Sequence, residues 1–479
     1  MHYYQKYLKY KNKYLLLKNL FTSNNSSNNF LHKMIMIGGG ADLDKIIFID
    51  KNFDYGDEFV FNYLIIIKNN IARIFKVETE LGSGNFGTVY KVEDITKQVL
   101  DDPVYLTISS KVKPSGATIS TEETLDKYLA LKVSKNNVRD EIYKESIDID
   151  KINKDVPALK YKSLYQFKDP VKNIALYTYA GNSDLFNLIV KGMENTEFIS
   201  NIPFYLREIL IQLKDLAAGG WLHNDIKIEN VAIDTSITPH KVTIIDYGSA
   251  SQNDIPPKVG TYETSSPEQL FYKIKLGPEF NKNKVSKSDM VGFFWIAIKS
   301  ITFANSLLIA LNKNISKNYI IYLFYLLLDE KNPLYNFITN ENVLKIADED
   351  KQFLIKTYSG LQNYLAKKVD SINTPKEYFT SLIIELVKRQ QKVYQILFYS
   401  NENNIKIFLD KLFEIIRVNP NDRPSYNWLL NNLFIINTDN SVIFNFSKEI
   451  PIADKENRPV ELNITESPRK KLKQLSFND

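Results

Sequence analysis

Between Trp221 and Thr235 the chain reads WLHNDIKIENVAIDT, and Asp225, Lys227 and Asn230 stand two and three positions apart among apolar neighbours. One polar residue beside an apolar strand can be an accident of the surface. An acid, a base and an amide together ask for a ligand that carries charge. The next apolar run, KVTIID, ends in Asp246, with a glycine two residues later.

Upstream, LGSGNFGTV sets Gly82, Gly84 and Gly87 in G-x-G-x-x-G spacing, with Val89 close behind. A dinucleotide-binding turn needs a helix directly after the glycines. TVYKVED reads as a strand instead, so the glycines form a hairpin that caps phosphates from above, its bare backbone N–H groups approaching their oxygens. No GK[ST] follows, which excludes a Walker A loop. Lys132, in LALKV, lies inside an apolar strand. It either snorkels outward or neutralises phosphate charge under the loop, and then it needs an acid to hold it. Glu141 and Glu145 are four apart and share a helix face; of the two, Glu141 is the favoured partner.

These residues need elements to position them. Strand-like pieces lie at MIMIG, KIIFID and FVFNYLIII within residues 35–69, and IARIFKVETELGSGNFGTVYKVED reads strand, glycine turn, strand from Ile71. Residues 98–124 read as a polar insertion loop, YLALKVS as a strand, 137–149 as a helix and NIALYTYA as a strand. FYLREILIQLKDLAAGG reads as a helix closed by glycines, and ENVAID and KVTIID as two short strands. Residues 289–417 are mostly helical in pattern, and the stretch from Pro451 is polar. No internal repeat is found.

The chain has 479 residues, enough for one large domain with additions or for two or three average ones. It has no cysteine, which excludes disulfides, thiol catalysis and iron–sulfur ligation. Its four histidines, at positions 2, 32, 223 and 240, form no close pair and argue against zinc; magnesium held by carboxylates stays open. A net charge of +5 does not argue for a nucleic-acid partner beyond an accessory role of the basic ends. The basic, aromatic N-terminus lacks the apolar core of a secretory signal. No stretch reaches the ~18 apolar residues of a membrane span; the longest run, Tyr319 to Leu328, reads as a buried helix. A soluble, intracellular protein is expected.

The glycine loop, the strand lysine, HNDIKIEN, IDYG, SPE and NPNDRPS, in this order over about residues 71–434, resemble a eukaryotic-type serine/threonine protein kinase. The resemblance implies an α+β, bilobal fold, with an antiparallel sheet lobe over about 71–180 and a mainly helical lobe over about 181–434. Insertions fall near 98–124 and 300–415, residues 1–70 become an N-terminal extension, and 435–479 a polar, disordered tail. It implies ATP and Mg2+ as cofactors and a protein substrate. Asp225 matches the acid that receives the proton of the attacking hydroxyl, and Lys227 the lysine that steadies the transferring phosphate. Asn230 and Asp246 match the magnesium ligands, with DYG in place of the commoner DFG. Val89 and Ala130 match the roof of the adenine slot and Ala232 its floor; the hinge falls near Thr178 to Gly181. Thr261 matches the threonine that contacts the catalytic acid and lysine, Glu268 and Arg423 a buried ion pair, and Asp289 the helix acid that supports the catalytic loop.

Three departures matter. Asn224 stands where the family has arginine, Thr264 replaces a tyrosine, and the helices beyond residue 300 are longer than compact relatives need. The first twenty residues are also similar to peptides at the start of proteins from large DNA viruses of amoebae, which implies host cytoplasm or virion as the location. The degraded motifs leave a second reading, a nucleotide-binding pseudokinase that serves as a scaffold; the intact Lys132, Asp225, Asn230 and Asp246 count against it.

Overall fold

The computed structural model describes residues 63–83, 87–101, 112, 117–120, 125–134, 141–167, 173–252, 260–261, 264–266, 269, 287–303, 375–417 and 423–447, and the backbone of 34–37 and 45–49. The sequence features at residues 1–20, Gly84, Glu268 and Tyr319 to Leu328 lie outside the described residues. The chain forms two compact units, one of residues 1–78 with 93–124 and one of 79–92 with 125–479.

In the first unit, β1 (Met34–Ile37), β2 (Lys45–Ile49), β3 (Tyr63–Lys68) and β4 (Ile71–Ser83) pair antiparallel in succession. The β3–β4 turn is Asn69–Asn70, both left-handed at φ 52° and 60°. Asparagine tolerates that region, and two such residues fit the twist of a tight hairpin. The domain start expected at Ile71 therefore falls within a hairpin, and the sheet continues before it. Strand β5 (Gly87–Asp94) leads to α1 (Thr96–Asp101), and β6 (Thr118–Ile119) pairs parallel with Ile71 and Ala72. The expected insertion loop thus carries a helix end and a paired strand. Ile65, Ile67, Ala72, Ile74, Ile95 and Val99 fill the core, and buried Arg73 meets Asp94 at 2.9 Å.

In the second unit, β5 neighbours β7 (Tyr128–Ser134); after α2 (Glu141–Asp155) come β8 (Ser163–Phe167) and β9 (Ile174–Thr178), giving the sheet order β5-β7-β9-β8. Short β10 (Ser183–Asp184) and α3 (Leu185–Gly192) precede the long α4 (Thr196–Ala218). Asn195 caps α4 by accepting the Phe198 N–H at 3.1 Å. Sequence pattern starts this helix after Pro203, yet the helix runs through it. Proline forfeits a backbone donor, worth about 3 kcal/mol. Burial of Phe198, Ile199 and Ile202 on the same segment, at about 1.5–3 kcal/mol each, outweighs that loss.

Next come β11 (Trp221–Leu222), β12 (Val231–Asp234), β13 (Lys241–Ile244) and β14 (Ser251–Gln252), with β12 pairing β13 and β11 pairing β14. Helix α5 (Asp289–Thr302) is buried along its whole length and packs against α4, as expected of a helix that is apolar on every face from Met290 to Ile298. Then follow α6 (Pro375–Arg389), α7 (Gln391–Phe398), α8 (Glu402–Phe413), α9 (Tyr426–Leu433) and a hairpin of β15 (Phe434–Ile436) with β16 (Val442–Phe444). The hairpin corrects the expectation that a polar tail begins at 435: Val442 and Phe444 are buried, and Phe444 packs on Phe408 with ring centroids 4.3 Å apart. Each strand is only three residues long, shorter than the run of four or more over which a strand pattern shows.

The antiparallel N-terminal sheet and mainly helical C-terminal region match the bilobal arrangement that the sequence implies. No helix among the described residues is long and apolar enough to cross a membrane.

Gly292 sets how closely α5 approaches the loop that follows β11. A Cβ there would lie 2.6 Å from both Cβ and the backbone oxygen of Ile226. Alanine gains about 0.5–1 kcal/mol of helix propensity over glycine, but overpacking against backbone costs about 1–3 kcal/mol. Gly292→Ala is therefore expected to lower stability in chemical denaturation. A variant as stable as the wild type would mean that α5 shifts freely.

Candidate functional site

The β12–β13 hairpin determines the site. Its 231↔244 pairing brings the end of β13 beside the start of β12, and the Ile245 N–H donates to the Asn230 oxygen at 3.0 Å. Asp246, one residue on, is therefore held near Asn230. Asp246 is left-handed, at φ 65°; among non-glycine residues, Asp and Asn adopt that region most readily. Tyr247 then turns inward, its ring centroid 4.7 Å from that of His223. The His223 ring nitrogen Nε2 meets the Ile245 oxygen at 3.0 Å. His223 is thus a structural member of the loop.

Asp289, in the first turn of α5, supports the loop from below. Its two oxygens accept the backbone N–H groups of His223 at 2.7 Å and Asn224 at 2.8 Å. Burial pushes this carboxyl above its usual value, against the pull of His223 and the two N–H donors. These contacts match the expectation for Asp289.

Asp225 is the centre of the polar set. Its Oδ2 accepts from Lys227 Nζ at 2.8 Å and from Asn230 Nδ2 at 3.1 Å. Its Oδ1 accepts from the Thr261 N–H at 2.7 Å. Lys227 Nζ also donates to Thr261 Oγ1 at 3.0 Å. Burial opposes the charge on Asp225, but the Lys227 ammonium, its hydrogen bond and the Thr261 contacts outweigh it and hold the carboxyl below its usual value. Asn230 Nδ2 makes a second bond, to the Asp225 backbone oxygen at 2.8 Å. With its nitrogen so engaged, the Asn230 amide oxygen is the atom left for a cation.

Lys132 joins the set from β7. It is 8% exposed, and its Nζ lies 2.6 Å from Glu145 Oε2 and 3.2 Å from Asp246 Oδ1. Burial works against the ammonium, yet two carboxylates outweigh it and raise its pKa. Burial pulls the Glu145 carboxyl up at the same time, but contact at 2.6 Å favours the ion pair. The favoured Glu141 is therefore corrected to Glu145. Glu141 opens α2 and is exposed, whereas Glu145, one turn on, is buried over β7. The i,i+4 spacing puts both on one face, but they are about 6 Å apart along the axis, and only one reaches the lysine.

Of the three glycines in G-x-G-x-x-G spacing, Gly82 lies near the end of β4 and Gly87 at the start of β5. A Cβ on Gly87 would come within 2.4 Å of the Val133 oxygen, so this glycine allows β5 to cross closely over β7, next to Lys132. Ala130 and Ala232 are buried in one hydrophobic cluster, with Val89 half-buried against it. Arg423, the expected partner of Glu268, is buried and donates to the backbone oxygens of Arg417 at 2.9 Å and Lys287 at 3.2 Å.

Two features escaped the sequence reading. Tyr177, Tyr161 and Tyr247 stack in a row, with centroids 5.0 and 6.0 Å apart, beside the Lys132–Glu145 pair. Burial, then Glu145 and Asp246, push the Tyr161 and Tyr177 hydroxyls well above their usual pKa. The sequence marks Tyr247 only as the middle of DYG, and with 29 tyrosines in the chain nothing singles out Tyr161 and Tyr177. The Trp221 indole also donates to Asp155 Oδ2 at 2.8 Å, tying the end of α2 to β11.

The arrangement can hold an anion against Lys132, accept a hydroxyl proton at Asp225 and place a cation between Asn230 and Asp246. Among the described residues no cluster of three or more His, Cys, Asp or Glu side chains is built to hold a metal. One carboxylate and one amide oxygen still fit magnesium, which keeps several waters and shares substrate phosphates.

No protein-family model matches the chain. Citron rho-interacting kinase of Rattus norvegicus is 31% identical over 111 residues, 22% of this chain and 5% of that protein. Sporulation protein kinase mde3 of Schizosaccharomyces pombe is 29% identical over 210 residues, 41% of this chain and 33% of that protein. Serine/threonine-protein kinase PSK1 of Saccharomyces cerevisiae is 38% identical over 93 residues, 19% of this chain and 6% of that protein. The chain thus spans a third or less of the length of each of these relatives. Over the matched stretches it is related to eukaryotic protein kinases.

Proposed function

We propose that this chain is a serine/threonine protein kinase that transfers the γ-phosphoryl group of ATP to hydroxyls of protein substrates. The observation that carries the reading is the Lys227 bridge. One ammonium contacts both Asp225 Oδ2, at 2.8 Å, and Thr261 Oγ1, at 3.0 Å, so base, cation and segment threonine form one unit.

In this reading the substrate hydroxyl lies at Asp225. Its oxygen attacks the γ-phosphorus as the bond to the β,γ-bridging oxygen breaks, ADP leaves, and the hydroxyl proton passes to the Asp225 carboxylate. Lys227 offsets charge on the transferring group, and Lys132, held by Glu145, fixes the nucleotide phosphates. Asp246 and the Asn230 oxygen would hold Mg2+, which when bound neutralises phosphate charge. Val89, Ala130 and Ala232 line the adenine slot.

The test is radiolabelled ATP with purified protein and a panel of substrate proteins, beside an Asp225→Asn control. Nucleotide binding without transfer to any protein, itself included, would favour the scaffold reading.

The ion-pair correction gives a sharper comparison. Glu145→Gln removes the closer, buried carboxylate and leaves Lys132 paired only with Asp246 at 3.2 Å, so the loss is a part of the about 3–5 kcal/mol typical of a buried pair broken on one side. Phosphate transfer is expected to fall by about 100-fold in Glu145→Gln and by less than about threefold in Glu141→Gln. Equal losses in the two variants would remove the Lys132–Glu145 pair from the mechanism.

A further inference from the structure

The catalytic loop contains a residue whose every polar atom is engaged and which the proposed mechanism does not use. Asn224 is 3% exposed. Its N–H donates to Asp289 Oδ1 at 2.8 Å. Its side-chain Nδ2 donates to the Ser249 backbone oxygen at 2.9 Å and to Ser251 Oγ at 2.8 Å. Its backbone oxygen accepts from Gln269 Nε2 at 3.0 Å, with a weaker approach of the same nitrogen to Oδ1 at 3.5 Å. Gln269 in turn accepts the Ser266 N–H at 2.8 Å through Oε1.

Ser249 and Ser251 lie three and five residues after Asp246, and Ser266 and Gln269 five and eight after Thr261. We infer that Asn224 is a positioning residue: an uncharged amide bridge that fastens both flanks of the segment carrying Thr261 to the catalytic loop, and so holds Thr261 against Asp225 and Lys227. The inference rests on the kinase reading for its consequence in catalysis, but the bridge itself is a matter of hydrogen bonds.

Residue chemistry narrows what can stand here. The position is left-handed, at φ 66°, which asparagine and glycine accept far more readily than other residues. The side chain must donate twice, to a carbonyl and to a hydroxyl. Aspartate cannot donate, and its charge would face the Ser249 oxygen. Arginine could donate, but the two side-chain acceptors, the Ser249 carbonyl and the Ser251 hydroxyl, are neutral and would not offset its buried charge. Asparagine meets both the backbone and the donor requirement. The bridge is neutral, so it needs no added phosphate to hold the segment.

Asn224→Gly and Asn224→Ala separate the two roles. Glycine keeps the left-handed backbone and removes only the amide, whereas alanine removes the amide and strains the backbone. Gln269→Leu cuts the second flank and avoids the loop altogether. Asn224→Gly is expected to lower kcat on the best acceptor of the panel by about 30-fold and Asn224→Ala by about 100-fold, the excess being backbone strain, with the KM for ATP within about twofold of wild type in both. Gln269→Leu should follow in the same direction by about fivefold. Hydrogen–deuterium exchange at Thr261 should quicken in all three variants while the α4 amides stay protected.

An Asn224→Gly variant with wild-type kcat and wild-type exchange at Thr261 would overturn the bridge, leaving backbone strain as the only role of the side chain. A rise in the KM for ATP at unchanged kcat would also overturn it, by moving Asn224 to the nucleotide side. If the wild type transfers no phosphate at all, the kinase reading fails, and the exchange experiment alone decides for or against the bridge.

Discussion

An Asp225→Asn variant is expected to transfer phosphate about 10³-fold more slowly than the wild type, a loss of ~4 kcal/mol of transition-state stabilisation. The substitution is isosteric, and an amide oxygen can still accept the Thr261 N–H that Asp225 Oδ1 accepts at 2.7 Å. The other side-chain atom becomes an NH2 facing two donors, Lys227 Nζ and Asn230 Nδ2, and the group can no longer take a proton. Nucleotide affinity should survive, since Lys132 and its partners are untouched.

The pH profile supplies an independent check. Burial works against the charged form of Asp225, but Lys227 and Thr261 outweigh it and hold its pKa below the usual value. The base works deprotonated, so activity persists as pH falls through the ordinary carboxylate range and is lost only near the lowered pKa. Lys227→Met removes the ammonium, leaves burial as the main influence and should move the acid limb of kcat/KM to higher pH. An acid limb that stays in place, or an Asp225→Asn rate within about tenfold of wild type, would mean that Asp225 is not the base.

What the sequence carried was mainly local. YLALKVS matches β7 residue for residue, because an apolar run bounded by polar residues has few alternatives. The HNDIKIEN loop was legible because polar residues crowd between two short strands, and Asp225, Lys227, Asn230 and Asp246 do come together in space. The choice between Glu141 and Glu145 was not legible: periodicity assigns a face to a helix but does not say how far the helix slides along the sheet. Pro203 misled, since local propensity ends a helix where burial on both sides keeps it going. The Asn224 bridge was hidden for a different reason. Its partners lie 25, 27 and 45 residues away, and no spacing rule links an asparagine to serines and a glutamine at such distances. At this position the sequence marked the absence of an arginine, and only the fold shows what the amide does there.

Asp246→Asn is expected to cost about as much as Asp225→Asn, near 10³-fold, and to do so through the cation. Asparagine accepts the left-handed backbone that Asp246 adopts at φ 65°, so the turn into Tyr247 should hold and the change is one of charge. Lys132 keeps its 2.6 Å contact with Glu145, and the nucleotide phosphates keep their ammonium. What disappears is the one carboxylate in the pair of oxygen ligands assigned to Mg2+. Asn230→Ala removes a neutral ligand and should cost less, about 10²-fold. Part of that loss would act through Asp225, which accepts from Asn230 through both its backbone oxygen and Oδ2. Calorimetry separates the effects without relying on turnover. In the wild type Mg2+ should tighten ATP binding; in Asp246→Asn that gain should vanish, and in Asn230→Ala a part of it should remain. Transfer at the full rate in the presence of EDTA, or an Asp246→Asn protein whose ATP affinity still responds to Mg2+ like the wild type, would remove Asp246 from the metal site.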